Sequence, residues 1–472
     1  MVDQLRYKTL ISTLMFTEYR SLLRNNSNYK LYVLSHCCQH AGDWFVRVAA
    51  LITANRISGG SASALGMLVV FRTIPEIIFS QLGGLISDRY DRRKTMIRLD
   101  VSAALVVFAY IYSVRVDSLR ALYLATALRS AVSALYLPIT HAIVPQLVLS
   151  GKEDLKRAAT LNGTIWSSML VLGGAIAGWF SAKYGVEMCY IVDICTYLLS
   201  AIVMSRVKGD FNVHETTTKD NEDGDSDKKA NPVKKVLGMI RELFVFLRSC
   251  GFATLIFLKA TGCLIWGSAD VLNVAFAHVE NDEAESSRRM GLIFSSVGVG
   301  CVIGPAIANC TIVDGKKPSS LQLAIVIGLL FMTAGWAGVA FNSHSFWKIC
   351  LFTSVRTIGS AMIWLFSTLI LQNLVDPKVL GRVFGLEFSL ARITETIIAT
   401  STGTLRDAGH SKQELAFMST AIAALSFLFW STYHFRGYGA AMPRFNTGEE
   451  TNENREKNLL SEYEHEAVDV LT

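Results

Sequence analysis

The stretch that decides the fold is GLISDRYDRRK at residues 84–94. It lies between two long apolar segments and forms a short basic connection between them. Membrane proteins keep loops that are rich in Lys and Arg on the cytoplasmic side. The stretch therefore predicts two membrane-spanning helices that meet at the cytoplasmic face.

Composition supports a membrane protein. The chain has 472 residues, of which 51% are hydrophobic and 18% are charged, whereas soluble proteins usually carry about 25% charged residues. A spanning helix needs roughly twenty apolar residues, and barrel strands need only about ten with alternating polarity. The apolar blocks are too long and too uniform for a barrel. We therefore predict an all-α membrane protein with about twelve spanning helices, at 31–54, 64–86, 95–113, 119–146, 157–180, 187–206, 251–276, 290–312, 321–341, 346–373, 383–403 and 414–435.

Several other classes of protein are disfavoured. Residues 1–30 lack the apolar core and cleavage site of a signal peptide, so the first span is expected to direct insertion. The nine cysteines show no paired spacing and are interpreted as packing residues. The sequence contains no GxxxxGK[ST] motif, metal-ligand spacing or nucleophilic triad. We expect no cofactor, no bound metal and no enzyme activity.

The loops predict the orientation and the domains. Lys and Arg collect in the loops after spans 2, 4 and 10, while the loop after span 7 is acidic. Both termini and the polar central segment are then cytoplasmic. The predicted organisation is a cytoplasmic N-terminal segment at 1–30, a six-helix bundle at 31–206, a linker with an amphipathic helix at 207–250, a second six-helix bundle at 251–435, and a disordered acidic tail at 436–472.

The two predicted bundles carry a weak internal repeat. At an offset of 227 residues, Asp43 falls on Asp270 and Arg129 falls on Arg356. Short matches at the same offset surround these positions. The pattern indicates a transporter built from two related halves.

Five short motifs carry a resemblance to a known family. They are GDW at 42–44, the 84–94 stretch, VPQLV at 144–148, GGAIAG at 173–178 and LGRVFG at 380–385. Over about 30–435 the chain resembles the major facilitator superfamily, and within it the branch of enterobactin and macrolide exporters and lysophospholipid transporters. The resemblance implies two pseudo-symmetric six-helix bundles that work by alternating access. Two departures are visible, because Asp91 replaces the usual glycine and the second-half counterpart at 313–317 is degenerate.

The resemblance also implies a gate at the cytoplasmic side. Asp88 would meet the start of span 11 near Gly381, where a helix N-terminus favours a carboxylate, and Arg92 or Arg89 would form a salt bridge across the bundles. The alternative is that these residues only set topology and touch lipid headgroups. The predicted cytoplasmic gate comprises Gly84, Asp88, Arg89, Arg92, Arg93, Gly381 and Arg382.

Ionisable residues inside the spans predict the site, since a charge in a spanning helix is costly and usually faces a cavity. Asp43 and Arg47 lie four residues apart and are expected to neutralise each other. Arg72 and Glu76 are interpreted as a structural pair, and Lys259 as a side chain that snorkels from a helix end. The predicted substrate and proton pathway comprises His36, His40, Asp43, Arg47, Arg129, Tyr136, Trp266, Asp270 and Arg356. The alternative reading makes these residues neutral pairs that lock helices together.

The function predicted from the sequence is export of a small amphipathic solute in exchange for protons. Asp43 is the candidate proton site, and the resemblance links Arg129 to proton coupling. Aromatic residues are expected to line the cavity: Trp44, Tyr136, Trp166, Trp266 and Trp364. An uncoupled facilitator or importer, and a receptor or scaffold without transport, stay open as alternatives. The expected partners are the bilayer of a plasma or organelle membrane, a small molecule and protons, with no nucleic acid, and the protein is expected to be a monomer.

Overall fold

The computed structural model describes residues 22–24, 26–148, 152–209, 211, 253–311, 318–375 and 377–436. These residues form thirteen helices: α1 (Ser27–Ile57), α2 (Ala62–Arg89), α3 (Arg92–Arg115), α4 (Leu119–Leu147), α5 (Lys152–Tyr184), α6 (Val186–Ser205), α7 (Phe257–Trp266), α8 (Ala269–Ala277), α9 (Glu283–Thr311), α10 (Pro318–Phe341), α11 (Phe346–Leu374), α12 (Pro377–Asp407) and α13 (Lys412–Phe435). A 3₁₀ turn at Ala253–Ile256 precedes α7. The predicted amphipathic helix, the 313–317 counterpart loop and residues 437–472 lie outside the described residues.

The prediction of an all-α protein with twelve spans is confirmed. Ten of the spans in the described part of the chain are long and apolar enough to cross a membrane. The other two, α1 and α12, have 31 residues each, which at about 1.5 Å per residue exceeds a hydrocarbon core of about 30 Å. They fall short only in hydropathy. These two helices carry much of the ionisable side-chain content that forms the site described below.

The span predicted at 251–276 is broken into α7 and α8 around Gly267 and Ser268. A Cβ at Gly267 would lie 2.8 Å from the Cys263 carbonyl oxygen and 2.8 Å from the Ile398 Cβ, so the chain turns where only glycine fits. The break places Asp270 in the first turn of α8. A helix start favours a carboxylate there.

The departure at Asp91 has a local structural role. Its Oδ1 accepts a hydrogen bond of 2.7 Å from the backbone N–H of Lys94, which caps the start of α3. The residue has φ −54°, so the turn needs no glycine. Where the family usually has a flexible glycine, this chain therefore has the N-capping side chain of Asp91.

Helices α1–α6 form one half of the molecule and α7–α13 the other. The halves meet where α5 packs against α9 and α2 packs against α12. A Cβ at Gly178 of α5 would lie 2.7 Å from the Gly291 nitrogen of α9, and one at Gly403 of α12 would lie 2.6 Å from the Ala62 carbonyl oxygen of α2. Glycines thus let the backbones of the two halves approach closely, as small residues do in membrane helix pairs.

These close contacts lie at one end of the molecule. We call it the odd-loop end, because it carries the connections at 58–61, 116–118, 185, 278–282, 342–345 and 408–411. The opposite end, with the connections at 90–91 and 375–376, is the even-loop end. Contacts between the halves run from the odd-loop end to mid-helix, where a Cβ at Gly298 would meet Val171. The structure therefore represents a state that is closed at the odd-loop end.

We predict that Gly178→Leu weakens this closed state, because a leucine side chain has no space against α9. Purified protein should unfold at a temperature several degrees lower, measured by a thermal-shift assay in detergent. The matched control is Gly385→Leu in α12, an exposed helical glycine where a Cβ meets nothing within 4 Å among the described residues. Equal unfolding temperatures for the two variants would contradict the role given to the α5–α9 crossing.

Candidate functional site

A cavity of about 400 Å³ lies between the two halves. Its wall includes four carboxylates and four guanidinium groups, from Asp43, Glu76, Asp270, Glu395, Arg47, Arg72, Arg129 and Arg392. The formal charges of this wall therefore balance. The remaining wall is mostly apolar, with Val46, Ala50, Leu51, Leu68, Val69 and Tyr110. A cavity with a neutral charge pattern beside aliphatic surface is suited to an amphipathic organic molecule.

Ion pairs join the halves across this central cavity. Arg47 of α1 donates to both carboxylate oxygens of Asp270 of α8, each at 3.3 Å. Arg72 of α2 donates to Asp270 at 3.5 Å and to Glu395 of α12 at 2.9 Å. Asp270 thus holds two arginines of the opposite half.

The same network continues along α12. Arg392 pairs with Glu395 at 2.7 Å and reaches Glu76 of α2 at 3.4 Å. The expected pair of Arg72 with Glu76 is therefore wrong, since each residue binds a partner on α12. Side chains four apart on one helix face the same way, and here that direction is the opposite half of the protein.

A second cluster lies within the first half and is centred on Arg129 of α4. Its Nη2 donates to Asp43 of α1 and to the Tyr197 hydroxyl of α6, and its Nη1 donates to Ser133 at 2.7 Å. The Tyr197 hydroxyl donates to the same oxygen of Asp43 at 2.8 Å. The expected pair of Asp43 with Arg47 is wrong, because Arg129 lies closer to Asp43 and Asp270 takes Arg47.

A smaller cavity of about 140 Å³ adjoins this cluster within the first half. The predicted pathway residues His36, His40 and Tyr136 line it together with Asp43 and Arg129. The two histidines contact each other through their Nε2 atoms at 3.0 Å, and Nδ1 of His40 lies 3.8 Å from Asp43. The four predicted pathway residues of α1 thus border the two cavities: Asp43 and Arg47 line the central one, and His36, His40 and Asp43 line the smaller one.

The sequence analysis missed two buried carboxyl groups beside this cavity. Asp100 of α3 accepts hydrogen bonds from Gln39 and from Ser200, the latter at 2.8 Å. Asp193 of α6 is fully buried as well. The signal that identified Asp43, an ionisable residue within a span, applies equally to these two. The spacing argument was also available for Asp193, because Thr196, Tyr197 and Ser200 follow it on one face of α6.

Lys259 does not snorkel. Its Nζ lies 2.7 Å from Oε2 of Glu387, and the two side chains are 7% and 0% exposed. The ammonium group also lies 5.1 Å from the ring centre of Trp364 and 5.4 Å from that of Phe384. The second half thus contains a buried ion pair of its own, which neutralises a lysine too deep to reach water.

Two predicted pathway residues lie away from both cavities. Arg356 is buried, donates to Asn273 at 3.0 Å and lies 4.5 Å over the ring of Trp336. Arg129, its repeat counterpart, lies at the same 4.5 Å over Tyr197. Trp266 contacts the ring of Trp364, with centroids 6.1 Å apart.

The expectation of an aromatic-lined cavity holds for one of its five residues. Tyr136 lines the smaller cavity. Trp166 and Trp364 are 55% and 40% exposed but are not among the residues that line the two cavities, and Trp44 packs against Phe294 of the opposite half. Tryptophans in spans serve helix packing and lipid contact as readily as ligand binding, so their number alone did not identify the wall.

The predicted cytoplasmic gate is only partly described. The side chains of Gly84, Asp88, Gly381 and Arg382 lie outside the described residues. Arg89 is exposed at the end of α2. Arg92 donates to the Ala142 carbonyl at 3.0 Å, and Arg93 donates to the Val207 carbonyl. Both guanidinium groups are thus bound within their own half, so Arg92 does not make the expected salt bridge across the bundles in this state.

The odd-loop end is closed by a carboxylate that the sequence analysis did not single out. Asp407, the last residue of α12, accepts hydrogen bonds from the backbone N–H groups of Ala62 (2.7 Å) and Ser63 (3.0 Å) and from the Ser61 hydroxyl (2.7 Å). It therefore caps the start of α2 from the opposite half. Burial raises the pKa of this carboxyl, but the hydrogen bonds from Ser63, Ser61 and Ala62 outweigh it and lower the pKa to about 2.

No cluster of potential metal ligands occurs among the residues that the structure describes. Two helical halves around a charge-balanced cavity, with one end closed, define a multi-pass membrane transporter. Residues 32–399 match the Major Facilitator Superfamily profile. The chain belongs to the Major Facilitator Superfamily, and it is a transporter rather than an enzyme.

Individual relatives are distant. The chain is 24% identical over 368 residues to the staphyloferrin A transporter of Staphylococcus aureus. The matched region covers 76% of this chain and 83% of that protein. It spans 46% of two Bacillus subtilis proteins: the uncharacterized MFS-type transporter YfiS, 24% identical over 42% of this chain, and the putative bacilysin exporter BacE, 27% identical over 40% of this chain.

The fold resembles those of solved transporters. The structure of the peptide transporter POT in complex with sulfate superposes with a TM-score of 0.67 at 11% sequence identity. The match covers 88% of this chain and 96% of that one. At this identity the likeness concerns the fold alone.

We predict that Asp270→Asn destabilises the observed state, because it leaves Arg47 and Arg72 without their shared carboxylate. Removing one partner of a buried pair typically costs about 3–5 kcal/mol, and we expect less here because the Arg47 side chain is 41% exposed. Thermal unfolding in detergent measures the loss. The matched control is Asp117→Asn, which breaks a peripheral pair with Arg56 in which Asp117 is 74% exposed. A loss no larger than that of the control would contradict the role of the network.

We predict that Asp407→Asn opens the odd-loop end more often. The readout is labelling of a cysteine placed at Leu68, in the cavity wall, by a membrane-impermeant maleimide on a background without the native cysteines. A carboxyl with a lowered pKa stabilises the closed end above its ordinary pKa of 3.8, and the effect is lost only as the pH falls toward about 2. Labelling of the parent protein at this end should therefore not change through Asp407 between about pH 5 and 8. Unchanged labelling in Asp407→Asn would contradict the clamp.

Proposed function

We propose that the protein is a secondary active transporter that exports a small amphipathic organic solute in exchange for protons by alternating access. The observation that carries the proposal is the cavity of about 400 Å³ between the halves, with four carboxylates, four guanidinium groups and an aliphatic wall. The sequence offers no nucleotide-binding motif that would provide direct ATP drive. An ion gradient is therefore the proposed energy source.

The cross-half ion pairs provide the link between binding and movement. Opening the odd-loop end requires that Arg47 and Arg72 separate from Asp270, and that Arg392 separates from Glu76. Charges inside a membrane protein are costly when unpaired. A solute with its own charged group lowers that cost by replacing one partner, and so it can favour one state over the other only through such differential contacts.

Export follows from the proposed orientation. If the even-loop end is cytoplasmic, as the distribution of Lys and Arg predicts, a state closed at the odd-loop end accepts solute from the cytoplasm. In the opposite state, we propose that residues 84–94 approach the start of α12 near Gly381 and close the even-loop end. Relatives with partial coverage include putative bacilysin exporters and macrolide efflux proteins, and these names support the direction without fixing the solute.

Proton exchange is supported by the cluster around Arg129. Asp43 borders both cavities and binds Arg129, while His40 lies 3.8 Å from it. A proton that binds to a carboxyl group of this cluster removes one negative charge and changes how the carboxyl groups share Arg129. The preference for one conformation then depends on proton binding.

The proposal is tested in two stages with purified protein. Amphipathic drugs, siderophores, lysolipids and metabolites are first screened for thermal stabilisation, since a ligand at 100 times its Kd stabilises by about 2.7 kcal/mol. A compound that binds is then measured for transport in proteoliposomes with and without an imposed proton gradient. We expect the gradient to drive solute movement against its concentration, and Arg129→Gln to abolish that drive.

The control and the alternatives are distinguished in the same assay. Arg56→Gln removes a guanidinium group whose side chain is 34% exposed in a peripheral pair and should leave transport unchanged. Solute flux that does not change with the imposed proton gradient would indicate a facilitator or importer without proton coupling. Ligand binding without any flux would favour a receptor or scaffold, and either result would overturn proton-driven export.

A further inference from the structure

Asp193 of α6 is the most unusual buried group in the protein. Its side chain is 0% exposed, and neither carboxyl oxygen has a hydrogen-bond partner among the described residues. Gly42 of α1 provides the space beside it, because a Cβ at Gly42 would collide with Oδ1 of Asp193 and with the Thr196 hydroxyl. Buried polar side chains in proteins are nearly always hydrogen-bonded, so this exception calls for a physical cause.

The neighbouring charges do not supply a partner. Asp43 on α1, Tyr110 on α3, Arg129 on α4 and Tyr197 on α6 are the titratable groups that interact electrostatically with Asp193. Arg129 is the cation among them, and its Nη atoms already bind Asp43, Tyr197 and Ser133.

The third carboxyl of the region behaves differently. Asp100 on α3 interacts with Arg129 and Asp43, and it holds donors from Gln39 and Ser200. One arginine thus lies near three carboxyl groups. Asp43 is paired with this arginine, Asp100 accepts hydrogen bonds from neutral donors, and Asp193 has neither kind of partner. An isolated buried carboxylate is far more costly than the neutral acid, so Asp193 is the group that holds a proton.

We infer that Asp193, rather than Asp43, is the carboxyl that carries the exchanged proton; this inference rests on the proposed proton-coupled transport. Asp43 is paired with Arg129, and its side chain is 44% exposed, whereas Asp193 is enclosed and has no partner among the described residues. In the state closed at the odd-loop end, Asp193 holds the proton and the group of Asp43, Arg129 and Asp193 is neutral.

The structure contains a hydrogen-bond donor for the Asp193 carboxylate that remains after the proton is released. Nε of Arg129 is buried and has no acceptor among the described residues. When the O–H bond of Asp193 breaks, the proton passes to water and the carboxylate remains. The spare Nε–H of Arg129 is then its donor, and Asp43 loses part of its hold on the guanidinium group.

The charge balance indicates the class of solute. Without the proton the three residues carry one net negative charge, and Asp43 faces the central cavity. A solute with one positive group restores neutrality in the cavity. Binding of a cationic amphipathic molecule therefore favours release of the proton from Asp193, and binding of the proton favours release of the molecule. The site thus takes a proton on α6 and an organic cation in the cavity.

The test needs no known solute. Infrared spectroscopy of the purified protein at pH 7 should show the C=O stretching band of a neutral carboxylic acid, which moves when aspartate is labelled with ¹³C. Asp193→Asn should remove this band. The matched control, Asp100→Asn, changes a carboxyl that is equally buried but hydrogen-bonded, and it should leave the band in place. Absence of the band from the labelled parent protein, or its persistence in Asp193→Asn, would overturn the inference.

Two further measurements complete the test. If Asp193→Asn does not fold, Gly42→Ala places a methyl group against Oδ1 of Asp193 and must shift the band. Once a cationic solute is found by the thermal screen, Asp193→Asn should retain solute exchange and lose the response to a proton gradient. A retained response overturns the proton role of Asp193 even if transport is established, whereas parent protein without any gradient response would instead disprove the proposed function.

Discussion

Charges that cannot be left unpaired inside a membrane hold the two halves of this transporter together. Asp270 binds Arg47 and Arg72 of the opposite half, and Arg392 binds Glu76. Contact between apolar side chains gives little free energy to helix association in a membrane, because lipid tails are equally apolar. Ion pairs do create such a preference, because separation exposes each charge to a medium that does not solvate it. The interface is therefore stable in a small number of paired arrangements rather than over a continuous range.

Closure at the odd-loop end adds a contact of a different kind. Asp407 ends α12 and caps α2, and the predicted contact of Asp88 would place the end of α2 against the start of α12. In that proposed arrangement the same two helices would exchange roles between the two ends of the molecule, each offering a carboxylate to the N-terminus of the other. Since the pKa of Asp407 is about 2, that contact stays ionised near neutral pH.

The sequence predicted the spans well because hydropathy and length are local properties. It failed where the partner of a side chain lies on another helix. Spacing alone paired Asp43 with Arg47, whereas the fold brings Arg129 to Asp43 across 86 positions of the chain. Lys259 was misjudged for the same reason, since nothing near it in sequence announces Glu387. The break at Gly267 was visible as a Gly-Ser pair, but its consequence, a helix start beneath Asp270, depended on three-dimensional packing.

The GDW motif shows how much a short sequence can contain once its neighbours are known. Successive residues of a helix point about 100° apart, so three consecutive side chains face three different surroundings. Gly42 leaves room for Asp193 within the first half. Asp43 binds Arg129 and borders the cavity. Trp44 packs on Phe294 of the second half, with ring centroids 5.6 Å apart. One turn of α1 therefore connects a buried acid, the cavity wall and the moving interface, which is the connection that coupling of protons to solute movement requires.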